Sequence, residues 1–438
     1  MINSIASPFK APDLRKRILF TVALLAVYRV GAFVPTPGIN GPALSDWFQQ
    51  LKGTIFGFLN LFSGGAFEQF SVFSLGIMPY ISASIILQLF TIVFHYYEKL
   101  SKEGDQGRKK ITQHTRYGTI IISIIQALGV GSYLQSQVAP SGEPIVYNPG
   151  VSFLLMTVLT LTTGTAFIMW LGEQISDRGM GNGMSLIIAT GIIANIPGAI
   201  SNTAKLVLTG EMNLLSLIGI IIVIVAVTAA VVIMLQGQRR IPVQYAKRVV
   251  GRKVYGGQST HIPLQINPAG VIPVIFAAAI LDFPRTVALF FSQKNVIVST
   301  FVNMFSREHV VYSLFYFVMV IFFTYFYTAI VFKPDEVADN MRKYGGFVPG
   351  IRPGKPTADY IERVLSRIVL VGAVFLALIA LLPSILYMSL KVPFWFGGTS
   401  LLIVVGVVLD TVKQIESQLL MSHYEGFLKK GKLRGRLR

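Results

Sequence analysis

The sequence predicts an all-α integral membrane protein with ten transmembrane helices in two five-helix halves. Three observations predict this fold class: the composition, a series of ten apolar runs, and a one-sided distribution of positive charge. The chain is 53% hydrophobic and only 13% charged, with a mean hydropathy of +0.62. Because soluble domains carry about 25% charged residues, this composition excludes a soluble fold along the whole chain.

Ten runs are free or nearly free of charge, and each has roughly the 17 to 25 residues needed to cross the hydrocarbon core. They cover residues 18–34, 76–94, 117–134, 151–172, 182–200, 214–235, 267–283, 310–332, 368–388 and 394–412. Five runs lie before about residue 205, and an odd number per half places any two-fold-related repeat in inverted orientation. The sequence therefore predicts an N-terminal half over 1–205, a C-terminal half over 206–421 and a basic tail over 422–438.

The positive charge lies on one side of the predicted membrane. Of the 38 Lys and Arg residues, all but seven fall in loops that ten spans place on the same face. Positive charge in short loops stays cytoplasmic, so both termini are predicted to be cytoplasmic. Most of the net charge of +18 therefore reflects topology. Arg29 is the exception inside a predicted span, and such intramembrane charges are functional candidates by default.

The segment 54–94 predicts a broken membrane element. Residues 54–70 are too few and too polar to cross the bilayer, whereas residues 76–94 can span and carry Pro79 in their first turn, where proline costs little. Non-helical backbone at membrane depth survives only where it is buried in protein or lines a wet cavity. This segment therefore indicates a pore or a carrier site.

Four of the predicted spans are marginal in hydropathy and rich in Gly, Pro, Ser, Thr and Asn. They are 76–94, 182–200, 267–283 and 394–412. Helices that do not face lipid on every side can carry such residues, so these spans are candidates for lining a central path. Close helix packing through small residues explains the same composition equally well.

Two long loops on the inner face carry ordered basic residues. The loop 236–266 has partly alternating apolar residues and predicts a projecting β-hairpin, and the loop 333–367 presents Arg352 among Gly and Pro residues. The basic candidates are Arg239, Arg240, Lys247, Arg248 and Arg352. Retention in the cytoplasm needs charge but no extended loop, so the loop lengths favour docking on RNA phosphates or on an acidic protein surface.

No pattern in the chain indicates catalysis. The five His residues are scattered without metal-ligand spacing, Cys is absent, and no Ser-His-Asp pattern occurs. We therefore expect no enzyme, no metal site and no cofactor. A passive conduit is the favoured class, and a secondary transporter with inverted repeats is the alternative. A transporter should show a compact polar site at mid-membrane, and a non-transporting scaffold leaves the half-inserted segment unexplained.

Four segments, in chain order, resemble signatures of the SecY family of protein-conducting channels. Residues 75–84, LGIMPYISAS, resemble the family's second helix, and residues 237–248, GQRRIPVQYAKR, resemble its sixth-to-seventh loop. Residues 347–354, FVPGIRPG, resemble its eighth-to-ninth loop, and residues 396–403, FGGTSLLI, its tenth helix. The likeness extends from the first span to the tail and agrees with the span count and the charge asymmetry.

The resemblance implies an hourglass pore between two inverted halves, closed by a ring of aliphatic side chains and by a short plug helix. The ring residues it implies are Ile77, Ile81, Ile188, Ile275 and Ile403, all in the four marginal spans, with Ala279 too small to close a ring. The plug falls at about 54–70, and its residues are Phe58, Asn60, Leu61, Phe62, Gly64 and Gly65. An aliphatic ring would exclude ions by dewetting and yield around a polypeptide.

The resemblance also implies a lateral gate, a set of partners and a location. Gln88 and Asn267 match polar positions of a gate through which signal sequences and nascent spans enter the lipid. The implied partners are the small subunits SecE and SecG, the motor ATPase SecA, the ribosome, secretory or nascent polypeptides, and membrane lipids. The implied location is the bacterial plasma membrane.

Overall fold

The computed structural model describes residues 12–50, 60, 63–210, 213–245, 248–250, 253–255, 259–288, 310–390 and 398–430. The chain divides into two compact units. One unit comprises 1–206, 282–306 and 407–438, and the other comprises 207–281 and 307–406. The domain boundaries expected at residues 205 and 421 stay predictions.

The described residues are mainly helical, and the helices follow the predicted apolar runs. In the N-terminal part they are α1 (Pro12–Gly31), α2 (Gly41–Gln50), α3 (Met78–Val93), α4 (His95–Lys102), α5 (Asp105–Gln135), α6 (Val151–Arg178), α7 (Gly183–Ala194) and α8 (Ile196–Leu208). In the C-terminal part they are α9 (Leu214–Gln236), α10 (Ile272–Ala288), α11 (Val310–Val331), α12 (Pro334–Lys343), α13 (Lys355–Leu390) and α14 (Gly398–Lys430).

Local sequence explains where several helices begin and end. Pro79 lies in the first turn of α3, where its missing N–H costs no helical hydrogen bond. Phe94 is extended, and the chain bends by 98° between α3 and α4. Asn182 caps α7 by accepting a hydrogen bond from the Ser185 amide at 3.2 Å. Pro197 stands at the start of α8, where it interrupts the helix that α7 would otherwise continue.

Among the described residues, six helices are long and apolar enough to cross a membrane, or seven if α3 and α4 form one bent span. Helix α1 carries three basic residues at its start and Arg29 near its end, so its apolar stretch is short. The helix ends before the end of the apolar run 18–34, and the placement of Arg29 inside a span stays a prediction. Arg29 lies in the last turn of α1, because the helix ends at Gly31.

The predicted β-hairpin in the loop 236–266 is confirmed. Strand β1 (Gln238–Tyr245) pairs antiparallel with β4 (Ser259–Gln265), with Ile241 opposite Ile262. The tip is a smaller antiparallel pair, β2 (Arg248–Val250) and β3 (Lys253–Tyr255). A short strand, β5 (Gly346–Phe347), which has no counterpart among the predicted elements, adds to the free edge of β1.

The hairpin and the loop that follows α12 share one apolar core, which we call the hairpin module. Its buried residues come from β1, β4, α12, the loop after β5 and α13: Ile241, Val243, Leu264, Met341, Val348 and Ile361. Alternation along β1 buries Ile241 and Val243 and exposes Arg240 and Pro242. The period-2 pattern of the sequence therefore sets which side chains of β1 remain outside the core.

A second core packs α2, the chain after residue 63, α5 and α6 against one another. Its members include Trp47 and Phe48 of α2 and Phe67 and Phe70 of the connecting chain. At one end of α5 and α6, Arg116 Nε donates to Glu173 Oε1 at 2.8 Å. The irregular chain between α2 and α3 is thus held in a buried environment.

Candidate channel site and hairpin module

The chain over residues 63–77 runs through consecutive turns rather than a helix. Its backbone groups bond to one another and to Asn60 just before it. The Gly65 amide donates to the Asn60 carbonyl and the Ser71 amide to the Ala66 carbonyl, both at 2.9 Å. The Ser63 hydroxyl accepts from the Phe67 amide at 3.1 Å. Such internal bonding lets irregular backbone remain inside a membrane protein.

The same segment is fastened to the chain that follows α1. The Thr36 amide donates to the Phe70 carbonyl and the Val72 amide to the Val34 carbonyl, each at 2.9 Å. These bonds form a short antiparallel ladder between residues 34–36 and 70–72. The ladder fixes the position of the segment a few residues before α3 begins.

Three of the six expected plug residues are described. Asn60 is buried, its side-chain oxygen accepts from the Glu68 amide at 2.9 Å, and its side-chain amide donates to Glu68 Oε2 at 3.2 Å. Gly64 and Gly65 adopt positive φ angles of 67° and 88°. Phe58, Leu61 and Phe62, and with them most of the expected plug helix, lie outside the described residues.

All five expected ring isoleucines are buried. Ile77 immediately precedes α3, Ile81 lies in its first turn, and Ile188 lies in α7, so these three belong to the unit that contains residues 1–206. Ile275 in α10 and Ile403 in α14 belong to the other unit. Ala279 is also buried, in α10. Whether the five form a ring stays a prediction.

The two expected gate residues each leave one polar atom without a partner among the described residues. The Gln88 side-chain amide donates to Ser84 Oγ at 3.2 Å, and the Asn267 side-chain amide donates to the Gly270 carbonyl at 2.7 Å. The oxygens Gln88 Oε1 and Asn267 Oδ1 are buried and accept no hydrogen bond from that part of the chain. Each of these buried oxygens carries a desolvation cost that no hydrogen bond from the described chain offsets.

The expected docking residues lie on or beside the hairpin module. Arg239 and Arg240 are exposed on β1, and Arg352 is exposed in the loop before α13. Arg248 belongs to β2, and Lys247 lies outside the described residues.

The backbone on both sides of Arg352 is held in place. The Thr357 hydroxyl donates to the Arg352 carbonyl at 2.8 Å, and the Thr357 amide donates to the Gly354 carbonyl at 3.0 Å. Gly350 and Gly354 take φ angles of 80° and 103°, which favour glycine. A fixed backbone restricts the positions that the exposed Arg352 guanidinium can reach.

Two features of this region are absent from the sequence prediction. Tyr28 and Arg29, at the end of α1, donate hydrogen bonds to the backbone of the turn at Ser63 and Gly64. Helix α2 packs on the same segment. The unusual position of Arg29 in an apolar run was a signal of its importance, but the partner is main-chain carbonyl and carries no sequence signature.

Solved structures share this architecture. One described as the structure of a protein conducting channel aligns with a TM-score of 0.64 at 17% sequence identity, covering 96% of this chain and 94% of that chain. Another, whose description concerns the plug domain of the SecY protein, aligns with a TM-score of 0.67 at the same identity and coverage. The predicted fold class is confirmed: this is an all-α membrane protein with the ten-helix fold of protein-conducting channels.

Sequence comparison identifies the family within that class. The SecY family model matches residues 71–412. Protein translocase subunit SecY of Escherichia coli K12 is 48% identical over 428 residues, covering 97% of this chain and 96% of that protein. Its counterpart from Thermus thermophilus is 46% identical over 441 residues, covering both chains fully. The chain belongs to the SecY family. Its function as a protein-conducting translocase subunit is confirmed, and the secondary-transporter alternative is not supported.

Proposed function

We propose that this SecY-family chain is the channel subunit of a bacterial plasma-membrane translocase that works with SecE and SecG. Both termini face the cytoplasm, and the hairpin module receives SecA or a ribosome. Unfolded secretory polypeptides cross through the ring, and apolar segments leave sideways between α3 and α10 into the lipid. The chain itself catalyses no reaction, so the energy comes from the docked partner.

The observation that carries this proposal is the buried, irregular segment 63–77, which ends at Ile77 and runs directly into α3, the helix that bears Ile81. Non-helical backbone is tolerated at membrane depth only where it is buried in protein or lines a water-filled cavity. A plug joined to a pore-lining helix accounts for the turns, for the glycine-dependent conformation and for the burial. The charge asymmetry of the loops supports the proposed orientation.

The proposed ring rests on residue type and burial. Branched aliphatic side chains on four helices make a constriction that repels water and ions and binds no polypeptide specifically. The proposed gate rests on Gln88 in α3 and Asn267 in the chain before α10, each with a buried side-chain oxygen that has no partner in the described part of the chain. A hydrogen bond between polar groups in lipid is worth about 1 kcal/mol, so an arriving apolar signal helix would displace one.

Crosslinking to a stalled secretory chain tests the proposed path. A photoreactive residue at position 81 or 188 should crosslink to the arrested polypeptide during translocation. Ile125 and Ile222 are exposed on the helices α5 and α9 and provide matched controls that should crosslink to lipid instead. Equal crosslinking at the controls, or none at positions 81 and 188, would refute the path.

Removal of the proposed plug provides a second test. Deleting residues 57–67 should raise the ion permeability of vesicles that contain the complex, while the membrane spans still insert. Unchanged permeability in a correctly assembled complex would refute the plug assignment.

A further inference from the structure

Two consecutive side chains at the end of α1 bind two consecutive carbonyls of the turn at residues 63–65. The Tyr28 hydroxyl donates to the Ser63 carbonyl at 3.1 Å, and Arg29 Nη1 donates to the Gly64 carbonyl. Tyr28 is only 1% exposed, so this contact is shielded from solvent. The pair grips the main chain of the turn, and no side chain of the turn takes part.

The turn has little freedom to move while it remains in this position. Gly64 has a φ angle of 67°, and a Cβ atom there would lie 2.7 Å from the Gly191 Cα atom and 3.2 Å from Arg29 Nη1. Gly191 belongs to α7, the helix that also carries Ile188. The turn is therefore wedged between the end of α1 and a helix of the proposed ring.

The charge of Arg29 has no acidic partner in the part of the chain that the structure describes. The ion pairs found there join His95 and Lys102 to Glu98, Arg116 to Glu173, and Lys333 to Glu336. The guanidinium lies over the Phe33 ring, 4.9 Å from its centroid, and bonds to the Gly64 carbonyl. Neutral groups thus provide the contacts of this cation.

Loss of these contacts is expensive because Arg29 is half-buried and has no acidic partner in the described part of the chain. A hydrogen bond to a charged group contributes more than a neutral one, and removing its partner leaves the charge under-solvated. Any movement that carries the Gly64 carbonyl away from Arg29 meets this penalty. The arginine therefore favours the state in which the turn is seated.

We propose that Arg29 is a positioning residue that latches the plug through the Gly64 carbonyl and so sets how often the resting channel opens. The inference rests on the proposed function, because it takes residues 54–70 as the plug. Tyr28 supports the same turn through Ser63. The latch acts on backbone atoms, so it tolerates any side chain in the plug that leaves Gly64 in its left-handed conformation.

The experiment measures resting ion conductance of the complete translocase in planar bilayers. Arg29→Gln should raise the open fraction about tenfold or more, since it removes a charge-assisted bond. Arg29→Lys keeps the positive charge and an N–H donor that can reach the Gly64 carbonyl, so its conductance should lie between those of the parent and Arg29→Gln. Arg15→Gln, the same change at an exposed position of α1, is the control and should leave conductance unchanged.

The deletion of residues 57–67 separates a latch from a general packing role. If Arg29 acts through the plug, Arg29→Gln should add no further conductance to the deleted channel. An additive increase in that background would overturn the latch. A leak from the deletion without a leak from Arg29→Gln would overturn the latch and leave the plug assignment standing. No leak from the deletion itself would refute the plug, and the latch with it.

A second variant, in the plug itself, keeps the test valid if Arg29→Gln does not fold. Gly64→Ala places a Cβ against Gly191 and should unseat the same turn, raising conductance as Arg29→Gln does. Protein level and copurification with the small subunits establish assembly. If Arg29→Gln fails to assemble, a sealed Gly64→Ala channel overturns the latch, and a leaking one supports it.

Discussion

Gln244 in β1 lies opposite Phe347 in β5, so the two long loops of the C-terminal half meet in one antiparallel sheet. The pairing brings the hairpin that carries Arg240 and the loop that carries Arg352 onto a common core. A partner that binds either loop therefore binds a single packed body.

Charge reversal at Arg352 should impair coupling to the motor ATPase. Its flanking backbone is fixed, so Arg352→Glu turns an ordered attractive group into an ordered repulsive one. We expect translocation of a secretory precursor into vesicles to fall severalfold, with topology and protein level unchanged. Lys109→Glu makes the same charge change at an exposed position of α5, on the same predicted side, and should have little effect. Equal translocation by the two variants would reduce Arg352 to a topology signal.

Arg240→Glu should weaken ribosome binding in a salt-dependent manner. Arg240 is exposed on the face of β1 opposite the buried Ile241 and Val243, so the substitution leaves the core intact. Contacts to RNA phosphates release counterions, and the affinity lost by the variant should be largest at low salt. Ribosome affinity measured at two salt concentrations checks this. A loss that does not depend on salt would point to a folding defect.

Much of this architecture could be predicted because it follows from patterns along the chain. The alternation that includes Ile241 and Val243 predicted the hairpin, and the glycines and prolines around Arg352 predicted an irregular loop. Pairing between distant segments could not be predicted in the same way. The strand β5 at the edge of this sheet is only two residues long, which is too short to show a periodic pattern in the sequence.

The latch was beyond prediction for a chemical reason. Sequence patterns reveal complementary side chains, but Arg29 binds a carbonyl, and every residue has one. Helix α2 was missed because it is ten residues long and mixes apolar Trp47 and Phe48 with polar neighbours. The ring could be proposed only from resemblance, since an isoleucine in a membrane helix has no distinguishing pattern.

Glycine substitutions in the proposed ring should make the resting channel leak ions. We expect Ile77→Gly, Ile81→Gly and Ile188→Gly combined to raise ion conductance, because a wider opening holds water. Glycine costs the interior of a helix roughly 1 kcal/mol per position, and Ile81 and Ile188 lie inside α3 and α7. The control therefore places three glycines at exposed isoleucines in α5 and α9, at Ile125, Ile222 and Ile233. Leaks of equal size in both triple variants would show helix damage and refute the ring.

Arg116 and Glu173 should be energetically coupled. Their atoms lie 2.8 Å apart, and the Glu173 side chain is only 15% exposed. A double-mutant cycle with Arg116→Gln and Glu173→Gln should give a coupling of about 1 kcal/mol in the free energy of unfolding in detergent. Lys333 and Glu336 form a similar pair that is more than half exposed, and their coupling should be smaller. A larger coupling energy for Lys333 and Glu336 than for Arg116 and Glu173 would show that burial does not strengthen the ion pair.

Helix α4 should lose protection at acid pH. The hydrogen bond from Lys102, followed by that from His95, holds the pKa of the Glu98 carboxyl below its ordinary value of 4.5. A lowered pKa in the folded state contributes stability above the unfolded pKa, and this stability is lost as the pH falls through the folded value. Amide-exchange protection of residues 95–102 should therefore decline only on the acid side of 4.5. Lys102→Met should move the decline to higher pH.

The 98° break after α3 gives a reference point for the depth of the proposed ring in the membrane. Helix α4 begins just beyond it at His95, and its next two residues, Tyr96 and Tyr97, favour the headgroup layer. Along α3 the chain rises about 20 Å from Phe94 back to Ile81, at 1.5 Å per residue. Half the thickness of a bilayer with its headgroups is also about 20 Å. If the break is anchored at the surface, Ile81 of the proposed ring lies at about the bilayer centre, and lengthening α3 by one turn would shift it by about 5 Å.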